Sequence, residues 1–203
     1  MSNMRRTEHV ARMQREVFDV LVIGAGASGA GVALDAASRG LSVALIERDD
    51  FASGTSSRST KLVHGGVRYL EAAVTQFDRA QFHLVREALA ERATLLTIAP
   101  HLVHSLRTLV PAYSWAAALF YRAGLWLYDR AAGEAAIGRS HFVSRGHMLA
   151  SIPQLRRRGL KCGVAYRDGQ FDDARMAITV VATAVRESAL VANRVEALAL
   201  LQE

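Results

Sequence analysis

"VFDVLVIGAGASGAGVALDAASRGLSVALIE", residues 17–47, decides the fold. It opens with a short apolar, β-branched run bounded by glycine, the pattern of a buried parallel strand. Ala30, Ala33, Leu34 and Ala37 then recur at helical spacing, with Gly40 placed as a helix stop. "LSVALIE" is a second buried strand ending on Glu47, so the stretch predicts a βαβ unit of the usual length. Gly24, Gly26 and Gly29 spell GxGxxG at the strand-to-helix turn, and Glu47 follows 18 residues after Gly29. In this pattern Gly24 permits the tight turn, Gly26 lets backbone approach a pyrophosphate, and Gly29 lets helix and strand pack closely. The N–H groups of Ala27, Ser28 and Gly29 would face the phosphates, helped by the positive end of the helix dipole. Glu47 would accept hydrogen bonds from the adenosine ribose hydroxyls and would repel a 2′-phosphate, which disfavours NADP.

The fingerprint alone fits both NAD and FAD. Residues 48–66, "RDDFASGTSSRSTKLVHGG", favour FAD, because a polar loop of this length is too long for an idle connector. An extended segment running back along the pyrophosphate and ribitol is what a flavin nucleotide needs. Arg48, Thr55, Ser56, Ser57, Thr60, Lys61 and Leu62 are the further cofactor candidates along this segment; the serines alternatively cap local turns. Gly65 and Gly66 are expected to be bare where backbone passes the isoalloxazine ring.

Beyond the loop, Leu70, Val74, Phe77, Leu84, Ala88 and Leu95 predict a long amphipathic helix over 70–99, stopped by Pro100. Residues 101–150 are rich in aromatics, including Trp115 and Trp126. A membrane-spanning helix at 112–130 is disfavoured by Pro111 and Arg122, since spanning takes about 20 apolar residues and a central arginine costs about 2.5 to 3.5 kcal/mol. Two readings remain open: a helix lying in the bilayer interface with Arg107, Arg122 and Arg130 at headgroup level, or the aromatic core of a cap subdomain. From Gly163 the pattern is a strand, a turn, and a helix capped by Asp172 or Asp173.

The chain has 203 residues, 51% hydrophobic and 22% charged with three prolines, enough for a folded core. Cys162 is the single cysteine, so neither a disulfide nor a CxxC site is expected. The net charge of +6 is almost all arginine, and with no zinc-finger spacing or long basic run no nucleic-acid partner is expected. His9, His83, His101, His104, His141 and His147 show no ligand spacing, and no metal site is expected. Residues 1–16 lack the apolar core of a secretory signal and are expected to fray.

The residues "DVLVIGAGASGAGVALDAASRGLSVALIERDDFASGTSSRSTKLVHGGVRYLE", "EALAERATLLTIAPHL", "GLWLYD" and "DGQFDDARM" together resemble the FAD-dependent, aerobic-type glycerol-3-phosphate dehydrogenases, within the amino-acid-oxidase-like flavoproteins. The resemblance implies oxidation of sn-glycerol 3-phosphate to dihydroxyacetone phosphate, with hydride passing to FAD and electrons to a membrane quinone. It also implies peripheral attachment to the inner face of the cytoplasmic membrane, with an anionic membrane surface as partner. On it, His64 would take the substrate's C2 hydroxyl proton, Arg68 would grip phosphate oxygens and Tyr69 would add a hydrogen bond.

The expected fold class is therefore α/β: a Rossmann-like FAD-binding βαβ fold with a parallel sheet, plus a helical, aromatic insertion forming part of a cap or substrate subdomain. The expected segments are a flexible 1–16, the FAD-binding unit and flavin-contact loop at 17–70, the insertion at 71–162, and a return to the first domain at 163–203. The family's pattern continues past Glu203, so the chain corresponds to an N-terminal portion lacking the C-terminal half, expected to bind FAD poorly and turn over little substrate alone. "ESALVANRVEALALLQE" matches less well, and with it an adenine-side backbone contact near Ala197. The alternatives are an FAD-dependent amine or amino-acid oxidase, a nicotinamide dehydrogenase, or a non-catalytic membrane-associated fragment. A homo-oligomer is compatible with the sequence and not required by it.

Overall fold

The computed structural model describes residues 6–66 and 78–201. Two compact units divide the chain: one contains Met1–Lys61 with Asp172–Glu203, the other Leu62–Phe171.

The first unit is built on a parallel three-stranded sheet of β1 (Val20–Ile23), β2 (Val43–Glu47) and β7 (Leu190–Asn193), in the order β1-β2-β7. Val20 lies opposite Val43 and Ile23 opposite Ile46, while Ala44 pairs with Leu190 and Glu47 with Asn193. Helix α2 (Ala27–Ser38) connects β1 to β2, and Gly40 turns its C-terminal end with φ +83°. Helix α6 (Asp173–Arg186) leads into β7. The buried residues between these helices and the sheet are small: Ala30, Ala33 and Ala37 of α2 meet Val181 and Ala184 of α6 over Val22, Leu45 and Val191. Alanines on both helices permit close approach, so the core is thin and tightly packed.

Close approach is most demanding at Gly29. A Cβ there would sit 1.9 Å from the carbonyl oxygen of Gly24 and 3.3 Å from Val22 Cγ1. Gly24 itself has φ +102°, a conformation that side-chain-bearing residues avoid. Two of the three roles expected for the glycines, tight turn and helix-to-strand packing, are thus present in the geometry.

The N-terminus departs from the expected fraying. α1 (Arg6–Met13) is a helix whose His9 is buried, with Nδ1 3.0 Å from both the N–H and the carbonyl oxygen of Val191. Arg6 adds donations from Nε to the carbonyl of Asn193 at 2.9 Å and from Nη2 to that of Arg194 at 3.2 Å. These tertiary contacts order a segment whose charge pattern alone gave it nothing to pack against.

The second unit is an antiparallel sheet centred on β6 (Cys162–Phe171). β4 (Val103–Ala112) pairs along the whole of it, from Val103 opposite Phe171 to Ala112 opposite Cys162. On the other side, β3 (Leu62–Val63) pairs with Gln170 and Gly169, and β5 (His141–Ser144) with Ala165 to Cys162. Helices α3 (Arg79–Ile98), α4 (Trp115–Ala132) and α5 (Arg145–Ser151) are the α-helices among its described residues.

Several expectations are corrected here. Among the described residues the insertion is mainly helical, as expected, but not wholly so: residues 103–112 form a ten-residue strand, with Pro111 tolerated because β4 pairs on one side only among the described residues. Arg107 therefore lies on β4, not on an interfacial helix. α3 starts at Arg79, since Asp78 is its extended N-cap and accepts from the N–H of Ala80 at 2.9 Å and of Gln81 at 3.2 Å. Its buried stripe is Val85, Leu89 and Arg92, one position on from the apolar set that includes Leu84, which is 52% exposed. No turn interrupts β6 at Asp168 and Gly169, because Gly169 carries no Cβ to strike the carbonyl oxygen of Val63, 2.8 Å from where one would stand. The two compact units change over at Lys61/Leu62 and at Phe171/Asp172, where the expected segments change at 70/71 and 162/163.

Asp172 is the N-cap of α6, accepting from the N–H of Arg175 at 3.0 Å, as the capping pattern predicts. Asp173 does more than begin the helix. Its buried carboxylate accepts from the N–H of Ser59 at 2.9 Å and pairs with Lys61 Nζ at 3.0 Å. The Ser59 hydrogen bonds, with help from Lys61, hold its carboxyl well below the usual aspartate range.

Two measurements check this packing. Gly29→Ala should destabilise by at least about 3 kcal/mol, because the colliding atom is backbone, whereas Gly31→Ala, whose Cβ meets nothing within 4 Å in mid-helix, should stabilise by about 0.5–1 kcal/mol. Denaturant melts of both variants decide it, and equal effects would refute the account. A depressed carboxylate pKa stabilises above the unfolded value of 3.8 and loses that contribution as pH falls below it. Asp173→Asn should therefore lower Tm at pH 7, with the gap to the parent protein narrowing as the pH is taken below 3.8.

Candidate functional site

In the first unit the strand-turn-helix opens onto a cleft of about 440 Å³. Ile23, Gly24 and Gly26 form one wall, Glu47 and Arg48 the end of β2, and Ser53 to Ser56 the polar loop. The position of Glu47 follows from the parallel register, which carries every strand's C-terminal end to this same edge. Its carboxylate is oriented by two backbone donors, Ala25 N–H to Oε2 at 2.8 Å and Asp49 N–H to Oε1 at 2.9 Å. Each oxygen keeps lone-pair capacity for a further donor such as a ribose hydroxyl.

The loop is tied back over the turn. Ala52, with φ 59° and almost fully buried, donates its N–H to the carbonyl of Ala25 at 3.0 Å. Ser56 Oγ accepts from Ala27 N–H at 2.8 Å and lies 3.1 Å from where a Cβ on Gly26 would be. Of the three N–H groups expected to face phosphates, Ala27's is thus engaged by a serine hydroxyl. Ser28 and Gly29 follow it in the first turn of α2, and the N-cap residue, Gly26, has no side chain to cap them. A third segment edges the cleft: Val195 N–H donates to the carbonyl of Glu47 at 2.9 Å and Arg194 N–H to that of Asp49 at 3.0 Å, which brings Val195, Glu196 and Ala197 alongside.

A bare Gly26 as the N-cap of α2 and a doubly anchored carboxylate suit the pyrophosphate and ribose of a dinucleotide. The residues present therefore fit FAD at its adenosine diphosphate end. Among the candidates, Gly24, Gly26, Glu47, Arg48, Thr55 and Ser56 line the cleft. Ser57, Thr60 and Lys61 do not: Ser57 Oγ donates to the carbonyl of Gly54 at 3.3 Å, Thr60 is exposed, and Lys61 is held by Asp173 and the Ser57 carbonyl.

The second unit holds His64, Gly65 and Gly66; Arg68 and Tyr69 lie outside the described residues. Leu62 is in β3, opposite Gln170. Gly65 is buried, and its side-chain direction is filled: a Cβ would meet Leu89 Cγ at 2.5 Å and the Tyr128 hydroxyl at 3.0 Å. The expected reason for a bare residue at Gly65, clearance for a flavin ring, is replaced by packing against α3 and α4. Gly66 has φ +71° and donates its N–H to His64 Nδ1 at 3.0 Å. A backbone N–H can only donate, so Nδ1 is the acceptor and the neutral ring carries its proton on Nε2. In this geometry His64 presents an N–H donor at Nε2, which does not suit the proton-abstracting role expected of it.

Sequence reasoning missed the polar group beneath this segment. Gly65 N–H donates to the Tyr128 hydroxyl at 2.7 Å, which donates to Asp168 Oδ2 at 3.3 Å. Asp168 is paired with Arg92, whose Nη1 lies 2.8 Å from Oδ1, both residues being 2–3% exposed. Burial, then the Asp168 charge, pushes the Tyr128 phenol upward, so it stays a neutral donor. One signal was available: Arg92 falls in the apolar stripe of α3, seven residues on from Val85 and three from Leu89, where a charge needs a buried partner.

A model of the family described as FAD dependent oxidoreductase matches residues 19–203. The chain is 50% identical over 186 residues to the bovine protein named glycerol-3-phosphate dehydrogenase, mitochondrial, covering 92% of this chain and 26% of that relative. It is 46% identical over 198 residues to a probable glycerol-3-phosphate dehydrogenase of Encephalitozoon cuniculi, covering 98% of this chain and 32% of the relative. The chain thus spans between about a quarter and a third of the length of these relatives. A solved structure of glycerol-3-phosphate dehydrogenase from Bacillus halodurans, complexed with FAD, superposes with a TM-score of 0.66 at 30% identity, covering all of this chain and 31% of that one. With the glycine fingerprint, the oriented Glu47 and the parallel sheet in place, the chain belongs to the FAD dependent oxidoreductase family.

Proposed function

We propose that this chain supplies the nucleotide-binding and substrate-facing part of an FAD-dependent glycerol-3-phosphate dehydrogenase. The observation that carries the proposal is the cleft in which Gly26, the start of α2 and the anchored Glu47 converge, together with similarity to glycerol-3-phosphate dehydrogenases over nine-tenths of the chain. Bound FAD would supply the two-electron acceptor for oxidation of a secondary alcohol. Gly24 and Gly26 in the cleft wall, with Ser28 and Gly29 of the adjoining first turn of α2, would take the pyrophosphate and Glu47 the adenosine ribose, with Thr55 and Ser56 closing the cleft. Ser56 would exchange its bond with Ala27 N–H for a phosphate oxygen, a small rotation of one hydroxyl. His64 would donate from Nε2 to a substrate oxygen, while Arg68 and Tyr69 would take the phosphate. A membrane quinone is the proposed electron acceptor.

Peripheral membrane attachment belongs to the same proposal. Among the described residues no helix is long and apolar enough to cross a membrane. α4 is two-faced, with Ala118, Leu125, Tyr128 and Ala132 buried and Trp115, Leu119, Phe120 and Trp126 each more than half exposed. Arg130 lies over the Trp126 ring at 5.4 Å, a basic and aromatic pairing suited to an anionic headgroup layer.

The protein carrying this chain should purify with flavin, and that flavin should be bleached anaerobically by sn-glycerol 3-phosphate and not by glycine or proline. Bleaching by an amino acid instead would replace the dehydrogenase reading with the amine-oxidase one. Gly26→Val should abolish flavin retention. The same protein should sediment with vesicles containing anionic phospholipid, and Trp115→Ala with Trp126→Ala should release it; a parent protein that stays in the supernatant would sink the attachment.

A further inference from the structure

We infer that Tyr128, Asp168 and Arg92 are positioning residues, a buried relay that fixes the backbone at Gly65 and so sets the direction and tautomer of the His64 imidazole. The inference rests on the dehydrogenase reading for its catalytic consequence, and on geometry alone for its structural one.

β3 is only two residues long, with Leu62 exposed, and such a strand cannot by itself hold the chain that follows it. Val63 pairs with Gly169, and Gly169 is bare because the Val63 carbonyl stands where its Cβ would point. Two residues on, the Gly65 N–H is buried and has the Tyr128 hydroxyl as its acceptor at 2.7 Å. That hydroxyl has one proton, and the Asp168 carboxylate takes it, at 3.3 Å to Oδ2 and 3.5 Å to Oδ1. Its lone pairs are thereby turned toward Gly65. Asp168 is in turn held by Arg92 Nη1 at 2.8 Å and by the Gly169 N–H at 3.3 Å, while Arg92 Nη2 reaches the carbonyl of Ala135 at 3.4 Å. Leu89 closes the remaining side of Gly65. With Gly65 clamped, Gly66 turns at φ +71° and aims its N–H at His64 Nδ1, leaving Nε2–H as the end of the ring with no partner among the described residues.

A stability role alone does not account for the choice of residues. Apolar side chains of similar volume replace buried ion pairs at little or no loss of stability. What they cannot do is orient a hydroxyl as an acceptor for one buried backbone N–H. The relay also joins the segments that carry the family resemblance: Gly65 comes from "KLVHGG", Arg92 from "EALAER", Tyr128 from "GLWLYD" and Asp168 from "DGQF".

Tyr128→Phe removes the hydroxyl and keeps the ring. In the flavin-loaded protein we expect amide hydrogen exchange at Gly65 and Gly66 to rise at least about tenfold while α3 and α4 exchange as before, and flavin reduction at saturating sn-glycerol 3-phosphate to slow by about 10- to 100-fold with KM and flavin content unchanged. Unchanged exchange at Gly65, or exchange raised evenly across the unit with the saturated rate intact, overturns the inference. Should Tyr128→Phe not fold, Asp168→Asn, which keeps an acceptor for the hydroxyl but loses the charge that orients it, is judged by the same exchange ratio. If the parent protein's flavin is not reduced by glycerol 3-phosphate, the dehydrogenase reading fails, and the Gly65 exchange still decides the clamp.

Discussion

The first unit depends on the separation between α2 and the end of β1. Where a Cβ on Gly29 would lie, the Gly24 carbonyl oxygen already stands far inside van der Waals contact, so only glycine permits the helix to sit there. That separation allows the alanine faces of α2 and α6 to pack against the sheet and puts the first turn of α2 beside the C-terminal end of β2. The anion-accepting geometry and the core packing are therefore one constraint. A looser helix would lose the core contacts and withdraw its N–H groups from the cleft together.

The second unit is organised around a different cost. Arg92 and Asp168 are buried together, and breaking such a pair typically costs about 3–5 kcal/mol because the remaining charge is stranded. The pair is supported in the interior by further partners, Tyr128 and the Gly169 N–H on the carboxylate and the Ala135 carbonyl on Arg92 Nη2, while Arg92 Nε is buried without a partner among the described residues. The Arg92 guanidinium also lies 5.8 Å from the Tyr128 ring centre, and Tyr166 meets that ring edge-on at 6.4 Å. Polar chemistry thus occupies a place that helix periodicity would assign to leucine.

The same chain treats its carboxylates in contrasting ways. Glu47 is oriented by backbone donors at the rim of a cleft and keeps capacity for a ligand. Asp173 spends its capacity on Ser59, Lys61 and Ala174, which fixes the far end of the polar loop. Lys61 looked like a cofactor residue in the sequence because a lone lysine in a polar loop resembles a phosphate ligand; a partner more than 100 residues away gives it a structural task. Cys162, buried where β6 begins, has its thiol pushed upward by desolvation and is unsuited to nucleophilic chemistry.

What the sequence by itself determined is local. The strand, GxGxxG turn, helix and acidic strand end of residues 20–47 are set by contacts between near neighbours, so period, glycine placement and Glu47 sufficed to find them. Asp172 as a helix cap is local in the same way. The tertiary structure alone decided the β4 to β6 pairing, the docking of α1 on β7 through His9, and the acceptor of the Gly65 N–H. Each joins residues 50 or more positions apart. Whether a buried arginine, a bare glycine or a charged terminus is satisfied depends on what the fold brings against it, and no window along the chain contains both partners.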